Sequence, residues 1–195
     1  MLSGFKNFGL LVLAAMAAFS MAGFVMTDTA LSEDWDSYSP AHAVGSGDDD
    51  WWTAYPDQHE DSGSAVEHPD WVLDALKEKP VLILIHSSNC KPCLTQVPRI
   101  ETAVASLGRD LKYYDMLAEG SSIKRAIDIL AVYDPDGVED KYFVPTTTFI
   151  TLAKGPDGAV DVAWHSEIDA ISQEKIDAYV KDSIYYYKQN AAAWT

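Results

Sequence analysis

Cys90 and Cys93 are the only two cysteines in 195 residues, and they are spaced Cys-x-x-Cys. Two thiols one helical turn apart have three chemistries open to them. They can exchange with a disulfide of another molecule: one thiolate attacks, a mixed disulfide forms, and the second thiol resolves it. They can close a structural staple. They can supply part of a tetrahedral metal site, with His86 as a third ligand. Further ligands to complete that tetrahedron are not evident, so no metal is expected, and no cofactor. One pair is also too few for a disulfide scaffold. Lys91 lies between the cysteines. Its ammonium would favour a thiolate at Cys90 unless it is merely a solvated surface charge.

The flanking residues say how the pair is held. Val81 to Ile85 is an unbroken apolar run, which reads as a strand buried on both faces. After the cysteines, Leu94, Val97, Ile100, Val104 and Leu107 recur at helical spacing, closed by Gly108. The dithiol therefore sits at the carboxyl end of a strand and the amino end of a helix. Free N–H groups and the helix dipole at that point favour a thiolate.

Cys90-Lys91-Pro92-Cys93, the buried strand before it and Pro98 five residues beyond the second cysteine resemble the active site of the thioredoxin family. Val144-Pro145-Thr146 resembles that family's cis-proline loop, which faces the dithiol. The resemblance spans roughly residues 66–190. It implies a thioredoxin-like α/β fold and a redox-active disulfide between Cys90 and Cys93. It also implies that Val144 and Pro145 bind substrate, Val144 offering its backbone to an extended chain by strand addition. Cys90, first at the helix terminus, is the expected nucleophile; Cys93, one turn in, is the expected resolving thiol. Lys91 and Pro92 complete the expected catalytic set. They give opposed cues about redox direction. Lys91 favours the reduced form and hence a more oxidising disulfide, whereas Pro92 matches the reducing members. Asn89 stands where the family commonly has tryptophan, and Leu84 where it has a buried carboxylate. The proton acceptor for Cys93 is thereby left open, with His86 and Asp115 as candidates.

The rest of the chain falls into three parts. Residues 1–27 read as a signal peptide or membrane anchor. Lys6 supplies positive charge, and Phe8 to Met26 is uncharged and mostly apolar, close to the ~20 residues that span a bilayer. Residues 28–64 read as an acidic, disordered tether. Asp28, Glu33, Asp34, Asp36, Asp48 to Asp50, Asp57, Glu60 and Asp61 have no Lys or Arg to answer them. Trp51, Trp52 and Tyr55 are unusual there: either they dock on the domain or a partner, or they are incidental aromatics in a loose segment. Residues 65–190 read as the folded domain. Its expected order is an opening helix, then βαβαββα, a mixed sheet with helices on both faces. A helix capped by Ser121 should bury Ile123, Ala126, Ile127 and Leu130. An acidic loop should run from Asp134 to Phe143. A strand from Ala159 to His165 should turn Val160, Val162 and Trp164 to the core, and Ser172 should cap the last helix.

The formal net charge is −16. That argues against nucleic acid and anionic membrane surfaces as partners. The expected function is extracytoplasmic thiol–disulfide exchange with cysteine-containing exported proteins, coupled to an unidentified redox partner. The protein would be membrane-anchored through its N-terminal segment and face outward, or be secreted after cleavage. The alternatives are a non-catalytic peptide-binding module with a structural disulfide, and a metallochaperone.

Overall fold

One strand separates two cores. In β1 (Val81–His86) successive side chains point to opposite faces of the sheet. Val81, Ile83 and Ile85 enter one core, and Leu82 and Leu84 enter the other. The computed structural model describes residues 34–138 and 141–194. The first core is closed by α1 (Asp70–Leu76) and α3 (Ile123–Tyr133), through Val72, Leu76, Ala126, Ile129 and Leu130. The second is closed by α2 (Cys93–Leu107) and α4 (Gln173–Asn190), through Ile100, Ala103, Ile176, Val180 and Ile184.

The remaining strands are β2 (Lys112–Leu117), β3 (Thr146–Lys154) and β4 (Val160–Ile168). The sheet order is β2-β1-β3-β4. β1 and β2 run parallel, as the α2 crossover requires; β3 and β4 form an antiparallel hairpin beside them. The element order is βαβαββα after an opening helix, as expected. Buried hydroxyls of β3 all find partners. Thr146 bonds the Phe143 carbonyl, Thr148 meets Ser166, and Thr151 bonds the Ser183 carbonyl. Ser172 caps α4, accepting from the Lys175 amide at 3.2 Å.

Three expectations need correction. The buried stripe of α2 is Cys93, Gln96, Ile100 and Ala103, and Leu94 is 73% exposed. In α3, Ile123 and Ile127 are exposed, and Ile129 and Tyr133 turn inward with Ala126 and Leu130. That helix follows a short 3-10 turn, Gly120–Ser122, with Ser122 rather than Ser121 at its cap position. In both helices an apolar residue of the right period lies a fraction of a turn off the face that docks. β4 turns Val162 and Trp164 to the first core as expected, with Val160 packed against it; Ala163 and His165 on its other face are buried as fully, because α4 and the arm formed by residues 34–64 cover that face.

That arm is the largest departure. The stretch expected as a disordered tether is ordered from Asp34 onward and belongs to the same compact unit as the domain. Trp52 pairs with Trp164 at the edge of β4, each amide donating to the other's carbonyl at 2.8 and 2.9 Å. Trp51 and Trp52 are 0% and 1% exposed. Being consecutive on an extended backbone they point oppositely, Trp51 into the α2/α4 core and Trp52 into the α1/α3 core. The arm thus pairs with the outer edge of β4 at Trp164, a position that would otherwise be open to another chain. One of its acids, Asp49, finds a donor on the domain. Lys175 reaches Asp49 at 3.0 Å, and that hydrogen bond and charge hold the Asp49 carboxyl below its usual range. Charge composition alone misreads the stretch, because edge pairing and two buried indoles outweigh the solvation of its carboxylates. Among the described residues no helix is long and apolar enough to cross a membrane. The segment 1–27 and residues 28–33 lie outside the described residues.

Candidate active site

The last residue of β1, His86, is followed by a short loop that delivers Cys90 to the start of α2. Glu119, just past β2, pins this loop by accepting from the Ser88 amide and, at 3.0 Å, from its hydroxyl. Pro92 occupies the cap position of α2 with φ −63°, already helical. Its carbonyl accepts from Thr95 and Gln96 amides at 2.9 and 3.0 Å. Cys90 is bonded to Cys93, with S–S 2.08 Å and Cα–Cα 5.2 Å. Cys90 is half-buried, whereas Cys93 is 1% exposed.

Two backbone groups converge on the Cys90 sulfur. The Cys93 amide donates toward Sγ at 3.1 Å, and the Val144 carbonyl oxygen lies 3.2 Å away. An amide aimed at sulfur from the first turn of a helix favours negative charge there. The Val144–Pro145 peptide is cis, and the Pro145 carbonyl accepts from the Asp169 amide at 2.9 Å. The structure therefore brings Cys90, Cys93, Pro92, Val144 and Pro145 together. Lys91 is exposed. Leu94 and Phe143 are exposed apolar residues next in sequence to Cys93 and Val144. Beside Phe143 is a shallow cleft lined also by Leu130, Tyr142, Thr146 and Ile168.

His86 and Asp115 meet each other, Nε2 to Oδ1 at 2.7 Å, with Asp115 largely in solvent. Leu84 is fully buried in the α2/α4 core. Gln96, a polar residue that the Cys-x-x-Cys motif does not point to, is 0% exposed one turn after Cys93. Its signal was its spacing: Cys93, Gln96, Ile100 and Ala103 define one helix face. Among the described residues no group of three or more His, Cys, Asp or Glu side chains is placed to hold a metal ion.

No family model matches the chain, and no curated protein matches it. Solved structures do. One is a thiol:disulfide interchange protein of the thioredoxin family from Chlorobium tepidum, at 15% identity and TM-score 0.40, covering 57% of this chain and 83% of that one. Another is the DsbF protein of MTB, at 17% identity and TM-score 0.35, covering 55% and 82%. A third is a secreted Mycobacterium tuberculosis disulfide oxidoreductase homologous to E. coli DsbE, at 17% identity and TM-score 0.33, covering 55% and 84%. By its element order, its sheet pairing and the disulfide at the β1–α2 junction, this chain has a thioredoxin-like fold carrying a Cys-x-x-Cys pair.

Proposed function

We propose that the protein is an extracytoplasmic thiol–disulfide oxidoreductase acting on cysteines of exported proteins. The observation that carries this reading is Cys90, a partly buried residue whose sulfur is bonded to the buried Cys93 and faces both the Cys93 amide and the Val144 carbonyl. In the reduced state the Cys90 thiolate attacks a substrate disulfide. One substrate thiolate leaves and a mixed disulfide forms. The Cys93 thiolate then attacks Cys90 Sγ, releasing the second substrate thiolate and restoring the intramolecular disulfide. Two electrons pass to the substrate, and the reverse sequence oxidises a substrate dithiol. The backbone at Val144 aligns an extended substrate by strand addition, with Leu94 and Phe143 as apolar flanks. Export rests on the apolar, uncharged run from Phe8 to Met26, which also serves as the anchor when it is retained.

The reduction potential of the full chain tests the reading. A potential above ≈ −300 mV, together with oxidation of the reduced protein by a peptide disulfide, supports exchange chemistry. A potential below that, with no reaction, makes the disulfide structural and the protein a binding module.

A further inference from the structure

We infer that Gln96 is a positioning residue that sets the gap between the dithiol and the substrate-aligning backbone; this rests on the exchange reading above. Gln96 lies in the first turn of α2, three residues past Cys93, with no solvent exposure. Both ends of its amide are used. Nε2 donates to Thr147 Oγ1 at 2.8 Å, and Oε1 accepts from the Ile171 amide at 3.1 Å. Thr147 lies two residues past Pro145. Ile171 lies two residues past Asp169, whose amide holds the Pro145 carbonyl at 2.9 Å. The contacts close a ring: Gln96 to Thr147, along the chain to Pro145, across to Asp169, along to Ile171, and back to Gln96.

Two further features brace the same ring. Asp169 has φ +74°, a left-handed conformation uncommon outside glycine, and its own carboxylate accepts from the Ala170 amide at 2.7 Å. That conformation accompanies the bond from the Asp169 amide to Pro145. Arg99, one turn beyond Gln96, donates to the Ile171 carbonyl at 2.6 Å. The helix that bears Cys93 is thus tied by the buried Gln96 amide to the segments on either side of the Val144–Pro145 backbone, with Arg99 as a second tie to Ile171. A buried apolar side chain of similar size would fill the space. It would leave the Ile171 amide unpaired and let the loop shift relative to the sulfurs.

The consequence is selective. A small aromatic disulfide needs only access to Cys90. An extended peptide disulfide also needs the Val144 backbone in register with it. The test is a single-turnover reaction of the reduced full chain with each substrate, under the same conditions. Gln96→Met is expected to slow the peptide disulfide about tenfold while changing the small disulfide less than twofold. Thr147→Val removes the partner of Nε2 without changing shape. It is expected to give the same selectivity with a smaller loss, and the double variant should lose no more than Gln96→Met alone. Equal losses on both substrates, or additive losses in the double variant, would overturn the inference, and so would no loss. Should Gln96→Met fail to fold, Thr147→Val alone decides by the same ratio. If the wild-type chain reacts with neither substrate, the exchange reading itself fails.

Discussion

Cys90 and Asp182 each sit against backbone brought from a distant part of the chain. At Cys90 the partners are the Cys93 amide and the Val144 carbonyl, and the residue is only partly buried. At Asp182, on α4, the partners come from the arm, and the carboxylate is 0% exposed. It accepts from the Tyr38 hydroxyl at 2.6 Å, the Ala41 amide at 2.9 Å and the His42 amide at 2.9 Å, with His42 Nδ1 at 2.7 Å. The two places use the same device to opposite ends. A partly buried cysteine remains available for exchange. A fully enclosed carboxylate, all of its acceptor capacity used, fastens one segment onto another. Reactivity and cohesion are therefore separable here, and each can be broken without the other.

The largest effect expected is on cohesion. A chain beginning at Ser64 loses both indoles and the strand-edge pairing. It should lack a cooperative urea transition, whereas the chain from Asp34 should show one. Next, Trp52→Ala should cost roughly 3–5 kcal/mol, as large-to-small changes in a core do, read from urea midpoints. Asp182→Ala should cost about 3 kcal/mol by leaving buried amide and hydroxyl donors unpaired. In both variants the reduction potential should move by only a few mV, on the order of measurement scatter. A large shift in either would show that the arm and the dithiol are coupled after all.

Much of the dithiol corner was legible because its signals are local. Cys-x-x-Cys, Pro92, the apolar run of β1 and Val144-Pro145 each announce themselves within a few residues. The arm was not, because what orders it is long-range. Asp182 reads as a surface charge on a helix until Tyr38 and His42 arrive from about a hundred and forty residues away. Leu94 and Ile123 misled for a related reason. Period locates an apolar stripe, and only the packing partner decides which edge of it is buried. Gln96 was missed because a polar residue on a helix is ordinarily solvated; its place on the Cys93 face was the overlooked cue.

Smaller effects sharpen the contrast. Burial lowers the His68 pKa to about 4 against an opposing pull from Asp161, and its ring nitrogen meets the Tyr133 hydroxyl at 3.0 Å. The unfolded chain then binds a proton near pH 6.5 that the folded chain refuses until about pH 4. Stability from this group is present above pH 6.5 and is lost as pH falls toward 4, by at most roughly 1.4 kcal/mol per pH unit. His68→Phe should flatten the stability–pH curve in that window. Smallest is Lys91→Gln. At low salt the potential should fall by roughly 10–20 mV, since an ammonium that favours the thiolate stabilises the reduced form; added salt should erase the shift. No shift at low salt would leave the helix terminus and Pro92 to set the potential.

That Cys90 attacks and Cys93 resolves is tested most directly by trapping. The reduced full chain carrying Cys93→Ser is mixed with an extended peptide disulfide, and so is the chain carrying Cys90→Ser. The expected result is a stable mixed disulfide through Cys90 in the first variant. The second variant should give little or no adduct, because Cys93 is 1% exposed. An adduct that forms faster through Cys93, or none in either variant, would contradict the assignment.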